Sequence, residues 1–289
     1  VNIYTSHTHM GSDIKLPQNW AEFIELSADG NKMVVGGWTN NKVRVLSWSG
    51  TSWVQLGSDI EGSASGDNFG EFVSISSDGK RIAVGAHQHD NSKGEVRVFK
   101  WDGTSWNQLG SPMDGASDSD EFSYRGVHIS GDGNTIAAAS FKGGYVDIYR
   151  WSGTSWVKTG NILITNSSGD DPGQLSLSYS GNRVAIGYHT VNENNDKGKL
   201  KIFDWNGTSW VQYAAIDGKN NGDELGSSVS IARDGKNLAV GANGAGIVRI
   251  YDVSSSVPNQ VGNDIDYGNN AAWRAISLSD DGKRVAIPQ

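Results

Sequence analysis

An acidic residue recurs along this sequence, each time a few residues before a run of alternating apolar side chains. The copies are Asp67, Asp120, Asp170 and Asp223, and Asn270 holds the corresponding place in the last one. Ca²⁺ takes oxygen ligands, so these carboxylates could bind a hard cation or another ligand. Alternatively, each could accept backbone N–H bonds within its own loop. Recurrence favours the loop role, because a folding requirement repeats whereas a metal site usually occurs once.

Histidine supplies a second group of candidate ligands. His7 and His9, and His87 and His89, are i,i+2 pairs that would share one face of an extended strand. Imidazole pairs of this kind can bind Zn²⁺ or Cu²⁺, although no third ligand is obvious and solvated loop histidines are commoner. We expect His87, His89 and His189 to contribute to ligand binding, with the identity of any metal left open.

Tryptophan occurs in pairs in the recurring pattern WxGTSW. The spacing places the two rings on one short hairpin, where cross-strand aromatic contacts stabilise a sheet. An exposed Trp could also stack on a sugar ring, but we interpret the pairs as structural. They are Trp48/Trp53, Trp101/Trp106, Trp151/Trp156 and Trp205/Trp210.

Sequence motifs of the common catalytic centres are missing. There is no GxSxG, no HExxH and no P-loop, and the absence of Cys excludes thiolate chemistry and disulfides. We therefore predict a protein that is not an enzyme and that needs no cofactor. Asn166 and Asn206 begin N-x-S/T sequons, which predict glycosylation if the protein is eukaryotic and secreted.

Composition excludes two further classes of function. The 289 residues carry a net charge of −8 without a cluster of Lys and Arg, so a nucleic-acid partner is not expected. No apolar run approaches the length that a membrane-spanning helix requires. The 38 Gly and the short β-branched runs between turn residues instead indicate many short strands.

These candidate residues must be positioned by a repeat of roughly 50 residues that occurs six times. Each copy contains an A–B strand hairpin followed by strands C and D, and a four-stranded repeat of this length predicts a β-propeller. The hairpins fall near 21–37, 71–86, 125–140, 173–188, 227–242 and 273–289.

The two ends of the chain complete the repeat pattern. Residues 1–4 match strand C and residues 10–14 match strand D, whereas 273–289 supply only strands A and B. The sequence therefore predicts an all-β, single-domain fold over 1–289, a six-bladed propeller of four-stranded antiparallel blades. The N-terminal strands C and D would pair with the C-terminal strands A and B, leaving no open edge.

The variable segments fall in the B–C and D–A connections, which lie on one face of a propeller. The A–B turns and the C–D turns on the opposite face are short and nearly invariant. Binding residues usually occupy loops held by a rigid scaffold, so any site is expected on the loop-rich face.

One family resemblance is visible in these repeats. The stretch 66–99 contains Phe69-Gly70 and Gly85-Ala86 and resembles the FG-GAP repeat of integrin α-chain propellers; 222–242 is a second good copy. The resemblance implies an extracellular adhesion or ligand-binding propeller. The family's DxDxDG calcium loop is replaced here by a bare hairpin such as Ser77–Lys80, so the resemblance does not support a Ca²⁺ site.

Together these features predict an extracellular or cell-surface adhesion module that recognises a glycan or a protein through its loop-rich face. One alternative is a purely structural domain of a larger surface protein or filament. A second alternative is a propeller hydrolase with an axial site, whose catalytic carboxylates would come from different blades.

Overall fold

All six predicted A–B hairpins are present as antiparallel strand pairs. The structure is a computed structural model that describes residues 14, 16, 23–163, 171–190, 195–268 and 276–287. Residue contacts divide the chain into two compact units. The N-terminal unit comprises Asn2–Gly143 and Arg150–Val157, and the C-terminal unit comprises Gly144–Tyr149 and Lys158–Gln289.

The N-terminal unit contains two sheets and a further hairpin. The first sheet consists of β1 (Ile24–Leu26), β2 (Lys32–Gly37), β3 (Lys42–Trp48), β4 (Trp53–Gln55) and β5 (Ile60–Glu61). The second sheet consists of β6 (Val73–Ile75), β7 (Arg81–Ala86), β8 (Glu95–Trp101), β9 (Trp106–Gln108) and β10 (Met113–Asp114). The hairpin consists of β11 (Phe122–Ile129) and β12 (Thr135–Ser140). In both sheets the strands are paired in the order in which they occur in the chain. Two short strands pair side by side with the third strand, β4 and β5 with β3, and β9 and β10 with β8.

The strands that follow continue the same pattern. The boundary between the units passes through β13 (Tyr145–Trp151) and β14 (Trp156–Leu163). One sheet of the C-terminal unit consists of β15 (Asp171–Leu177), β16 (Arg183–Thr190), β17 (Lys199–Trp205) and β18 (Trp210–Asp217). The next consists of β19 (Leu225–Ile231), β20 (Asn237–Ala242), β21 (Ile247–Asp252), β22 (Asn259–Gln260) and β23 (Ile265–Asp266). A last hairpin pairs β24 (Ser277–Leu278) with β25 (Val285–Ala286).

Among the residues that the structure describes, helical structure is limited to single turns in the connections between strands. Two are 3₁₀ turns, Trp38–Asn40 and Asn243–Ala245. A third, His89–Ser92, is not a regular helix, because Asp90 and Asn91 adopt left-handed backbone angles. No described helix has the length and apolar character needed to cross a membrane.

The A–B turns are held by an aspartate and a glycine. In the second sheet Asp78 Oδ1 accepts hydrogen bonds from Ser76 Oγ (2.7 Å) and from the Lys80 amide (2.9 Å). Gly79 has φ of 63°, a conformation that L side chains rarely adopt. The position of the integrin-type calcium loop is thus occupied by a closed turn that uses its own carboxylate.

Neighbouring sheets within each unit are joined at their innermost strands by a recurring hydrogen bond. Ser74 Oγ accepts from the amide of Ile129 at 3.0 Å, and Ser230 Oγ accepts from that of Leu278 at 2.9 Å. This contact satisfies an N–H that the edge of an isolated sheet would leave open.

The core of each unit lies between its sheets and consists mainly of aliphatic residues. In the N-terminal unit, buried residues of β2, β3 and β6–β8 form one cluster, which includes Val34, Val43 and Ile82. In the C-terminal unit, buried residues of β16–β21 form another, which includes Leu200, Leu225 and Val240. Both faces of the B strands β2, β7 and β20 are therefore covered.

The architecture is therefore all-β, with several four-stranded antiparallel sheets arranged in sequence order, consistent with a β-propeller. The predicted closing strands at 1–4 and 10–13, together with 273–275, lie outside the described residues.

Candidate functional site

The recurring aspartates each close their own loop. Asp67 Oδ2 accepts from the Ala64 amide (2.9 Å) and Asp120 Oδ2 from the Ser117 amide (2.9 Å). Asp223 Oδ2 accepts from the Asn220 amide (3.1 Å). Asp170 lies outside the described residues. A ligand-binding role for the four carboxylates stays a prediction, and their shared contact is a structural one.

His87 and His89 do not share a strand face, contrary to the i,i+2 expectation. β7 ends at Ala86, and Gln88 has helical angles (φ −91°, ψ −1°) that turn the chain between the two imidazoles. His87 Nδ1 lies 2.9 Å from Glu71 Oε2, whereas His89 Nδ1 lies 3.0 Å from Asp67 Oδ2. The histidines therefore belong to two separate carboxylate pairs.

The other predicted ligands are placed differently. His189 is buried within β16 rather than exposed in a loop. His7 and His9 lie outside the described residues. Within the part of the chain that the structure describes, no group of three or more His, Asp or Glu side chains is arranged to hold a metal ion.

Four charged side chains, Asp67, His89, Glu95 and Arg97, form what we name the His89 cluster. His89 Nε2 lies 3.9 Å from Glu95 Oε2, and Arg97 Nε lies 3.1 Å from Glu95 Oε1. The side chain of His89 is 27% exposed, whereas those of Asp67 and Glu95 are buried. A partly exposed imidazole is thus held between two buried carboxylates.

The pKa values of the cluster are displaced in the direction that favours acid–base chemistry. Burial lowers the pKa of His89, but the hydrogen bond that His89 donates to Asp67 and the charges of Glu95, Asp67 and Asp114 outweigh it and raise that pKa above its ordinary value. Burial raises the pKa of Glu95, against the opposing charges of Arg97 and His89. Burial and the neighbouring charges therefore displace the pKa values of both groups from those of free side chains, as is common at functional sites.

The second pair, His87 and Glu71, is more deeply buried. The His87 ring packs on Tyr124 with 4.7 Å between centroids, and its Nε2 lies 3.5 Å from Asn68 Nδ2. This pair therefore supports the wall beside the His89 cluster, since Asn68 directly follows Asp67 in the chain.

The His89 cluster departs from the structural repeat. In the first and fifth sheets, the arginine equivalent to Arg97 pairs with an aspartate of the following loop: Arg44 with Asp59 and Arg249 with Asp264. In the second sheet Pro112 stands in place of that aspartate, and Arg97 pairs with Glu95 instead. Asp67 and Arg97 recur in other repeats, whereas His89 and Glu95 do not, so a folding requirement that every repeat shares does not explain the contact between His89 and Glu95.

The tryptophan pairs make structural contacts. Their ring centroids lie 5.3 to 5.7 Å apart across the C–D hairpins. Trp106 Nε1 also donates to Leu56 O of the preceding sheet at 2.9 Å. Of the two sequons, Asn206 lies in an exposed turn where its Oδ1 accepts from the Thr208 amide (2.9 Å), and Asn166 is outside the described residues.

Comparisons with known proteins identify the fold. No family model matches the sequence, and no curated protein matches it significantly. A chain of the mitotic checkpoint complex is similar over 95% of this chain and 75% of its own, with a TM-score of 0.67 and 17% identity.

Two bacterial structures are similar as well. A proposed 6-phosphogluconolactonase from Bacteroides fragilis aligns with a TM-score of 0.59 and 13% identity, over 83% of this chain and 69% of its own. Another from Bacteroides uniformis aligns with a TM-score of 0.53 and 14% identity, over 89% and 88%. These neighbours have β-propeller-like folds, so the propeller class is supported, whereas the FG-GAP type is not.

The same neighbours correct two predictions. The adhesion module and the assignment as a protein that is not an enzyme are wrong, because two of the similar structures carry the name of an enzyme. Sequence reasoning set the hydrolase aside for lack of a contiguous motif. It named Asp67, His87 and His89 but missed Glu71, Glu95 and Arg97. Of the missed residues, Glu95 has a signal in the sequence, because the equivalent positions hold Lys42, Tyr145, Lys199 and Ile247. The predictions on cofactors, partners and localisation stay predictions.

Proposed function

We propose that the chain is a propeller hydrolase and that the His89 cluster is its catalytic centre. The observation that carries the proposal is the Asp67–His89–Glu95 arrangement, a partly exposed imidazole held by a buried carboxylate in one repeat only. A carboxylate on Nδ1 fixes the tautomer that leaves Nε2 free to accept a proton.

The reaction that fits best is hydrolysis of a lactone or a similarly activated ester. His89 Nε2 removes a proton from water, and the resulting hydroxide attacks the acyl carbon. The ring C–O bond then breaks, and the departing alkoxide takes a proton, so that lactone and water give one hydroxy acid. The His89 imidazolium returns its proton to that alkoxide, so the base is regenerated, and Glu95 Oε2, 3.9 Å from Nε2, stabilises the imidazolium meanwhile. The names of the two bacterial neighbours support a lactone as substrate.

The proposal is tested by lactone hydrolysis followed through acid release. His89→Gln is expected to lower kcat by at least about 100-fold, the usual contribution of a general base. Asp67→Asn should lower it by at least about tenfold, since the imidazole loses its orienting partner.

Asp120→Asn is the matched control, because Asp120 closes the equivalent loop of the next repeat. It should keep full activity, and each variant should show an unchanged circular dichroism spectrum. Full activity in His89→Gln, or no hydrolysis of any lactone or ester by the parent chain, would refute the proposal.

We also propose the finer architecture that the sequence predicts, a six-bladed propeller closed by N-terminal strands against the last hairpin. The support is the sixfold repeat and the match of residues 1–4 to strand C. Its test belongs to the whole molecule and is argued below.

A further inference from the structure

The charge around His89 restricts what this centre can accept. Asp67, Glu95 and Asp114 contribute three carboxylates, and Arg97 is the one cation that pairs with them among the described residues. Asp114 lies opposite Glu95 in the β8–β10 register, close enough for its charge to act on both His89 and Glu95. With the three carboxylates ionised and Arg97 as their counter-charge, the centre is negative whether His89 is neutral or protonated.

The nearby guanidinium groups are already engaged. Arg97 contacts Glu95, donates from Nη2 to Glu61 O at 3.0 Å, and stacks over the Phe69 ring at 4.4 Å. Arg125 stacks over Phe141 at 5.1 Å. A phosphate group would have to displace these contacts, because tight phosphate recognition uses bidentate guanidinium donors.

We infer that the substrate is an uncharged lactone, and that phosphorylated lactones are discriminated against by Asp67, Glu95 and Asp114. The inference rests on the proposed hydrolase function and deepens it by naming the substrate class. A dianionic phosphate beside three carboxylates meets repulsion that an uncharged substrate of the same shape avoids. It also separates this chain from the activity that its two bacterial neighbours are named for.

The experiment compares glucono-1,5-lactone with its 6-phosphate on the full chain near neutral pH, each corrected for spontaneous hydrolysis. The uncharged lactone should have a kcat/KM at least about tenfold higher. The ratio should shrink when ionic strength rises from about 0.02 M to about 0.5 M, because salt screens the repulsion.

Two aspartates provide a matched pair of variants. Asp114→Asn removes one charge beside the cluster and should raise the relative activity on the phosphorylated lactone about threefold or more. Asp266→Asn makes the same change at the equivalent exposed position of the fifth sheet, opposite Ile247, and should leave the ratio unchanged. Lys93→Gln should also leave it unchanged, although Lys93 lies in the same loop as His89.

The outcomes separate the two proposals. Equal or better hydrolysis of the phosphorylated lactone, or its selective loss in Lys93→Gln, overturns the inference and leaves the hydrolase standing. A ratio unaffected by Asp114→Asn also overturns it, since the discrimination would not be electrostatic. Hydrolysis of neither lactone, nor of any other ester, overturns the proposed function and the inference with it.

Discussion

Glu25 occupies a position at which the neighbouring repeats hold Ser74 and His128. Its carboxylate accepts from the Ile75 amide at 3.0 Å, as Ser74 does from the next innermost strand. Burial raises the pKa of Glu25 to about 7, and the hydrogen bonds from Ser74 and Ile75 oppose this only in part. Glu25 therefore makes the same contact between neighbouring sheets that Ser74 makes, but with a side chain that can ionise.

Glu25 should make stability fall as pH rises. The raised pKa means that the folded protein holds a proton that the unfolded chain has released, so this contribution is complete below about pH 4.5 and lost as pH rises through about 7. Glu25→Gln should remove it and raise the free energy of unfolding at pH 8 by up to about 3 kcal/mol relative to the parent. The measurement is urea unfolding at about pH 5 and pH 8.

Glu61→Gln is the comparison, because Glu61 is an exposed glutamate in the same unit. The free energy of unfolding of the Glu61→Gln variant should change between these pH values by as much as that of the parent chain. A Glu25→Gln variant with the parent's slope between these pH values would show that Glu25 ionises normally in the folded protein.

At this scale the sequence named some site residues without grouping them. Asp67 was identified by recurrence and His89 by its spacing to His87, as parts of two different constellations. Their hydrogen bond depends on the left-handed turn at Asp90 and Asn91 and on the loop of Asp67, which a residue pattern does not specify. Glu95 and Arg97 look like ordinary residues of a strand in the sequence. The one indication of their pairing is Pro112, which replaces the aspartate that pairs with the equivalent arginine in other repeats.

Among the elements, glycine sets how closely neighbouring sheets approach. Gly187 of β16 packs against the backbone of Gly226 at the start of β19, so that a Cβ on either would overlap main-chain atoms. Gly36 and Gly70 make the same contact in the N-terminal unit. Repeated glycines in the B strand and before the A strand thus have one physical cause.

Two glycines in one loop should therefore differ in their tolerance of alanine. Gly226 has φ of 100°, and its Cβ would lie 2.6 Å from Lys199 O and 2.7 Å from Tyr188 N, so Gly226→Ala should cost more than about 3 kcal/mol. Gly222 has φ of 74° but open space around it, so Gly222→Ala should cost about 1 kcal/mol or less. Thermal and urea unfolding of both variants measure the difference, and equal losses would contradict the packing argument.

The third repeat shows how the same contact can be altered. Ser123 stands where Gly70 and Gly226 stand, with φ of 78°. The register of β11 against β12 shifts between Phe122 and Val127, where the sequence has one extra residue. The third repeat therefore has Ser123 in place of the glycine at the same point where its strand pairing is irregular.

Strand boundaries were predictable where neighbouring residues in the sequence mark them. They were less predictable where packing against another sheet determines where a strand ends. The third strand of each repeat illustrates the first case. Alternation and turn residues in the sequence place its start at Lys42, Glu95, Tyr145, Lys199 and Ile247, and β3, β8, β13, β17 and β21 begin there. The split outer strand was not predicted. It breaks at Gly57 and Gly110, on which the Trp rings pack.

For the whole molecule, the repeat predicts the fold class, whereas the candidate site residues did not predict the function. Sixfold self-similarity identifies the β-propeller class, and the structural neighbours share it at 13% to 17% identity. Function did not follow, because propellers with similar strands carry different sites. The proposed activity depends on a few residues, His89 and Glu95 among them, in which one repeat differs from the others.

Closure of the propeller can be tested because the chain contains no cysteine. In the second sheet Ala83 pairs with Val98, and by repeat position these correspond to Ala286 and Ile3. Facing residues of antiparallel strands have Cβ atoms close enough for a disulfide after small adjustments, so Ile3→Cys with Ala286→Cys should cross-link on mild oxidation. Since the bond would close nearly the whole chain into a loop, the loop-closure entropy predicts that it stabilises the oxidised protein by roughly 5 to 6 kcal/mol. Ile3→Cys with Val285→Cys is the control, because adjacent residues of a strand point to opposite faces. Non-reducing electrophoresis reports the bond; no cross-link in the first pair, or equal cross-linking in both, would argue against this closure.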